Sequence, residues 1–174
     1  MLSHSDIQHI LPHRYPLLLL DSVYALIPEK SIVARKCVTA NESCYAYIPE
    51  NAENEAWAYP LSLIVESFGQ AGAVLWMHSI SLAGSKLQKL QGTLVFTVAR
   101  NCFFEKDVFP GDVMEHRVKF DRVVANSAIF NGEVWVKEQR VVRIEWIMAT
   151  VVEPDYSILR QIKETKKDAS SHTS

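Results

Sequence analysis

Residues 61–80 read LSLIVESFGQAGAVLWMHSI, and the period of this stretch decides how the rest of the chain must fold. Apolar side chains fall at 61, 63, 64, 65, 68, 71, 73, 74, 75, 76 and 77, so they point in nearly every direction around a 3.6-residue turn. A helix of that kind is buried on all sides. Glu66, Gln70 and His78 interrupt it too often for a membrane span. Pro60 precedes it, and Ser62 is placed to cap its first turn. The remainder of the protein must therefore wrap around it.

The polar exceptions form a pattern. Ser62, Glu66 and Gln70 lie at i, i+4 and i+8 on one stripe, with Gly69 and Ala73 beside it. Small residues there let another backbone or a ligand come close. A carboxylate in so apolar a helix costs free energy unless it is paired, solvated by a cleft, or protonated. Two readings follow: Glu66 is a structural group tied to an arginine elsewhere, or it is a catalytic carboxyl in a pocket. The residues alone support both.

Outward from the helix, Ser5 or Asp6 followed by IQHIL predicts a short helical segment closed by Pro12. The apolar run 17–20 is short enough for a strand or a loop. Residues 31–39, SIVARKCVT, are rich in β-branched side chains and predict a strand. Residues 41–59 are polar and irregular, yet Tyr45, Tyr47, Trp57 and Tyr59 are aromatics that should pack or line something. After the helix come a turn region at 84–92 and four strands at 93–100, 112–124, 128–137 and 141–152. The short connections after 124 and 137 predict antiparallel hairpins, and Asn131–Gly132 marks a bulge or a turn. This order makes the chain α+β, an antiparallel sheet curled around one long buried helix. It reads as a single domain over 1–156 with a polar tail at 157–174.

Composition narrows the function classes. The chain has 174 residues, 48% hydrophobic and 22% charged, with a net charge of −2. Such a chain has no field to draw nucleic acid or anionic lipid, so neither is an expected partner. Cys37, Cys44 and Cys102 lack metal-ligand spacing, and their odd number argues against a disulfide framework. The N-terminal residues lack the cationic head and apolar block of a signal peptide, so a cytoplasmic, reduced protein is expected. No phosphate loop, nucleotide motif or metal site is visible, and no cofactor is expected.

Four motifs then occur in a specific order: HRYPLLLLD at 13–21, VTANE at 38–42, IVESFGQAG at 64–72 and FPGD at 109–112. In this the chain resembles the (3R)-hydroxyacyl-ACP dehydratases of the FabZ type over about residues 5–152. The resemblance implies the hotdog fold and a site shared across a dimer seam, with a histidine from one chain and a glutamate from the other. It implies that Glu66 is the catalytic glutamate. It also implies substrate contacts from Gln70, from Leu61 at the helix start where backbone amides hold the thioester carbonyl, and from Tyr47. Where the family carries GHFP-G, this chain reads Ala46-Tyr47-Ile48-Pro49-Glu50, followed by an acidic insert and Tyr59-Pro60-Leu61. Tyr47 thus replaces the catalytic histidine, and a phenol with a pKa near 10 is a poor base at neutral pH. His13, within its motif, is expected to be structural, and His78 lies about 18 Å along the helix from Glu66.

Three functions are compatible with this. The first is a subunit of a heteromeric 3-hydroxyacyl-ACP dehydratase of fatty-acid or polyketide/polyene-type biosynthesis, lending Glu66 to a histidine-bearing hotdog partner. The second is an acyl-ACP or acyl-CoA thioesterase using Glu66, and the third a non-catalytic acyl or carrier-protein binding subunit. In each the chain is a homodimer or heterodimer. Lys86, Lys89, Arg100, Lys106 and Arg122 are candidate contacts for an acidic carrier protein, whereas the acids of the insert at 50–55 would repel one.

Overall fold

Helix α2, Leu61–Ala83, runs along the concave face of one six-stranded antiparallel sheet. The computed structural model describes residues 1–83 and 93–152. The expected turn at 84–92, the tail at 157–174, and Lys86 and Lys89 lie outside the described residues. Strands β1 (Ser22–Ile27), β2 (Ser31–Cys37), β3 (Thr93–Phe104), β4 (Val113–Val124), β5 (Ser127–Val136) and β6 (Gln139–Val152) are ordered β1-β2-β4-β5-β6-β3. The wrapped helix and the meander of long strands are as the sequence implies. Strand β1 is an addition, and residues 17–20 are loop.

The middle of α2 is sealed by the sheet. Ile64, Phe68, Val74, Leu75 and Trp76 are buried, each contributing about 1.5–3 kcal/mol through removal from water. Of the two small residues expected to admit another backbone or a ligand, Gly69 instead receives an aromatic ring, as does Gly72, and Ala73 is buried in the core. A Cβ on Gly69 would stand 2.8 Å from the Phe96 ring, and one on Gly72 3.0 Å from the Phe130 ring. Ser62 is the second helical residue rather than the cap; the amides of Leu63 and Ile64 bond the Pro60 carbonyl.

At the N-terminus, α1 (His4–Ile10) begins earlier than expected because Ser3 and Asp6 form a capping box. The Asn131–Gly132 pair is a bulge within β5, where Gly132 has φ +152 and the register against β6 shifts. The hairpin turns after β4 and β5 place Ala125 and Lys137 in the left-handed region. Within 39–59, two 3-10 turns (Ser43–Tyr45 and Asn54–Trp57) carry aromatics inward. Tyr45 and Tyr59 are buried and Trp57 packs on Tyr45 at 5.5 Å, but Tyr47 is 97% exposed.

One core residue is anomalous. His116, on β4, is fully buried edge-on to Phe68 of α2, and neither ring nitrogen has a partner among the described residues. Burial, with the Lys36 ammonium acting in the same sense, lowers its pKa to about 3. The unfolded chain therefore takes up a proton near pH 6.5 that the folded chain refuses down to about pH 3. Stability falls across that window as pH drops, by about 1.4 kcal/mol per pH unit for one group. His116→Leu removes the unsatisfied nitrogens. It is expected to stabilise the protein by about 1–3 kcal/mol at neutral pH and to flatten the acid-side loss. Urea titrations at pH 7 and pH 5 check this; a destabilised variant at both would show that the imidazole has a partner in solution.

Candidate active site

Glu66 stands on the second turn of α2, between the exposed helix start and the sealed middle, with 23% of its side chain exposed. Its Oε1 accepts a hydrogen bond from Gln70 Nε2 at 2.9 Å, one helical turn on. The Gln70 side chain is buried and committed in three directions. Its Nε2 also donates to the Leu17 carbonyl at 2.6 Å, and its Oε1 accepts from the Leu19 amide at 3.0 Å. Gln70 therefore stitches loop 17–19 to α2 and orients Glu66, and both its amide protons are used within the chain.

The same loop brings in His13, expected only to be structural. His13 Nε2 lies 3.5 Å from Glu66 Oε1, and 13% of the His13 side chain is exposed. Burial pushes the imidazole below the ordinary histidine range; Glu66 opposes that shift and Arg14 adds to it. Among the described residues no arginine or lysine pairs with Glu66, so the structural reading of that carboxylate finds no guanidinium. Spacing gave no route to His13: it is 53 residues from Glu66, and only the fold of loop 13–20 makes them neighbours.

The other candidates lie apart from this cluster. Leu61 opens α2 and is 43% exposed. Tyr47 follows the first 3-10 turn with its side chain in solvent. Within one chain, then, Glu66, Gln70 and His13 come together, while Tyr47 and Leu61 face outward. Among the described residues, no group of three or more His, Cys, Asp or Glu is arranged to hold a metal ion, and no helix is long and apolar enough to cross a membrane.

The outer face of the sheet is built differently. Arg140 pairs with Glu105 and Glu133, Arg117 with Glu115, and Arg143 with Glu145. Of the candidate carrier-protein contacts, Arg100 stacks on Trp146, Lys106 donates to Gln139, and Arg122 pairs with Asp121. Arg122 is thus neutralised by its neighbour, whereas Arg100 and Lys106 meet uncharged partners and keep their charge on the surface.

Residues 11–145 match the FabA-like domain family. The chain is 36% identical over 145 residues to the 3-hydroxyacyl-[acyl-carrier-protein] dehydratase FabZ of Enterococcus faecalis, covering 83% of this chain and 94% of that protein. This chain belongs to the FabZ-type dehydratase family. The FabZ of Clostridium kluyveri is 33% identical over 136 residues, covering 78% of this chain and 86% of that protein. Among solved structures, the dehydratase heterocomplex ApeI:P of Xenorhabdus doucetiae superimposes with a TM-score of 0.63 at 14% identity, over 90% of this chain and 96% of that one. The Escherichia coli PaaI protein of the phenylacetic acid degradation operon gives 0.52 at 14% identity, over 74% and 81%. At such identities these two establish the hotdog fold alone. FabZ membership rests on the sequence relatives, and within it Tyr47 stands where the resemblance calls for a histidine.

Proposed function

We propose that this chain is one subunit of a 3-hydroxyacyl-ACP dehydratase of fatty-acid or polyketide/polyene-type biosynthesis, in which Glu66 completes a composite site with a histidine from a hotdog partner. The observation that carries the reading is a partly exposed Glu66, without a lysine or arginine partner among the described residues, held by Gln70 beside the buried middle of α2, in a chain whose resemblance to the family puts tyrosine at the base position.

Dehydration of a 3-hydroxyacyl thioester breaks the C2–H and C3–O bonds and forms C2=C3. The base takes the C2 proton, the electron pair moves into the new double bond, and the hydroxyl leaves as water with a proton from the acid. Glu66 is the acid of this scheme, and the partner's histidine the base. Negative charge gathers on the thioester oxygen meanwhile. The amides of Leu61 and Ser62, at the open end of α2, are the donors suited to it, aided by the helix dipole. They precede Glu66 by about 6–8 Å along the axis. The resemblance makes an ACP-bound acyl chain the substrate.

The sheet favours a second copy or a partner. At the β1 edge, Leu2 bridges Val23 by two backbone hydrogen bonds. At the other edge β3 pairs only with β6 among the described residues and exposes Val95, Phe103 and Phe104. An uncovered apolar edge strand calls for another chain. That a chain of the same fold belongs to a solved dehydratase heterocomplex supports a mixed dimer. The identity to FabZ enzymes over most of their length favours dehydration over thioester hydrolysis.

The test is turnover of 3-hydroxybutyryl-ACP by the purified chain, alone and with a histidine-bearing hotdog protein from the same genome. Lacking one acid–base participant, the isolated chain should be slower than the mixed complex by about 10²–10⁴-fold. Equal rates would overturn the composite site and place the base within this chain.

A further inference from the structure

His13 is the one titratable side chain that touches Glu66 among the described residues, and neither the dehydratase scheme nor the FabZ motifs give it a task. Its position is over-determined. The Arg14 guanidinium donates to the carbonyls of Leu11 at 2.8 Å and of His13 itself at 2.6 Å, fixing the backbone that carries the ring. Gln70 holds the following loop through Leu17 and Leu19. The ring is therefore aimed at Glu66 from one side while the Gln70 amide approaches from along the helix. Its far nitrogen, Nδ1, is buried and meets no partner among the described residues. An imidazole kept only for packing would leave two polar nitrogens to be hidden where an apolar ring would serve better. Here one nitrogen faces a carboxylate oxygen at 3.5 Å and the other is left bare.

We propose that His13 is a positioning residue for Glu66: as a neutral Nε2–H donor it joins Gln70 on Oε1 and thereby confines the acidic proton of Glu66 to Oε2. This rests on the reading of Glu66 as the acid. A protonated carboxyl has one donor oxygen and one acceptor oxygen. Two donors converging on Oε1 make it the acceptor, so the proton resides on Oε2, which makes no hydrogen bond among the described residues and is the oxygen left for a leaving hydroxyl. The bare, buried Nδ1 fits the same tautomer, because an unprotonated nitrogen is cheaper to strand than an N–H. Burial, together with the adjacent Arg14, keeps the ring neutral against the pull of Glu66.

The experiment measures 3-hydroxybutyryl-ACP dehydration by the complex with its histidine-bearing partner, comparing His13→Leu, His13→Gln and Glu66→Gln. His13→Leu removes the donor and is expected to lower kcat about 10–100-fold with KM within about twofold, the scale of a misplaced catalytic group. His13→Gln restores an N–H donor and should recover most of that loss, which a packing role would not predict. Wild-type kcat in His13→Leu beside an inactive Glu66→Gln overturns the inference and leaves the composite site standing, as does a His13→Gln variant as slow as His13→Leu. Wild-type rates in Glu66→Gln overturn the composite site and this inference with it. Should His13→Leu fail to fold, nitrogen NMR of the wild-type ring decides: the Nε2–H tautomer is expected, and the Nδ1–H tautomer overturns the assignment.

Discussion

Glu66→Gln, introduced into the mixed complex, is expected to lower 3-hydroxyacyl-ACP dehydration by about 10²–10⁴-fold while leaving assembly and thermal stability near wild type. The amide is isosteric with the carboxyl, and its oxygen still accepts from Gln70 Nε2, so the stitch between α2 and loop 17–19 survives. What it lacks is an acidic proton for the departing hydroxyl. Glu66→Ala is a poorer probe, because it also removes side-chain volume from a helix whose next turn is sealed. Tyr47→Phe in the same complex should change the rate far less, since an exposed phenol at this position supplies no base. The measurement is kcat of each purified complex beside its sedimentation profile. An unchanged rate in Glu66→Gln would mean that this chain supports its partner and contributes no acid.

The fold was legible where burial imposes a period. Helix α2 announces itself because eleven apolar positions surround a 3.6-residue turn, which only a wrapped helix permits. The strands β3 to β6 are long, and their hairpin connections are short, so pairing order follows from chain order. Strand β1 escaped notice because it is an edge strand with one fully buried side chain, Val23, and a register irregularity beside it, so its alternation is weak. The start of α1 and the expected cap of α2 differ for local reasons. Ser3 finds its capping-box partner at Asp6, and Ser62 lies inside a helix that already begins at Leu61.

The site was legible in part, and the division has a physical cause. Glu66 and Gln70 share a helical face at i and i+4, so their contact follows from spacing alone. Their approach to His13 depends on a loop conformation fixed by backbone groups of Leu17 and Leu19, which carry no side-chain signature. The expectation at Gly69 differs from the structure for a related reason. Gly69 and Gly72 do permit close approach, but what approaches is Phe96 and Phe130 from distant strands. Sequence spacing shows where room exists on a helix; the sheet decides what fills it.

Glu42→Ala is expected to cost about 3–5 kcal/mol of stability, the scale for removing one partner of a buried ion pair. Glu42 ends the VTANE motif and gathers three donors. Lys36 Nζ lies at 2.8 Å and the Thr39 amide at 3.0 Å from Oε1, and the Tyr59 hydroxyl lies 3.0 Å from Oε2. Lys36 is buried, its ammonium also bonded to the Cys37 carbonyl at 2.5 Å, and Tyr59 is buried directly before the Pro60–Leu61 entry to α2. One carboxylate therefore ties strand β2, the 39–59 loop and the start of α2. Alanine leaves an ammonium in the core without a counterion, together with an amide and a phenol that have lost their acceptor. Glu42→Gln keeps one acceptor oxygen, enough for the Thr39 amide, but loses the charge and the second acceptor that faces the Tyr59 hydroxyl, so its loss should be smaller than alanine's but not negligible. Adding Lys36→Met to Glu42→Ala separates charge from hydrogen bonding. If the stranded ammonium dominates, the double variant recovers a large part of the loss, since apolar replacement of a buried pair is often neutral or better. Urea midpoints at constant m-value check all three. A double variant less stable than Glu42→Ala would show that Lys36 holds the loop through the Cys37 carbonyl rather than through its charge partner.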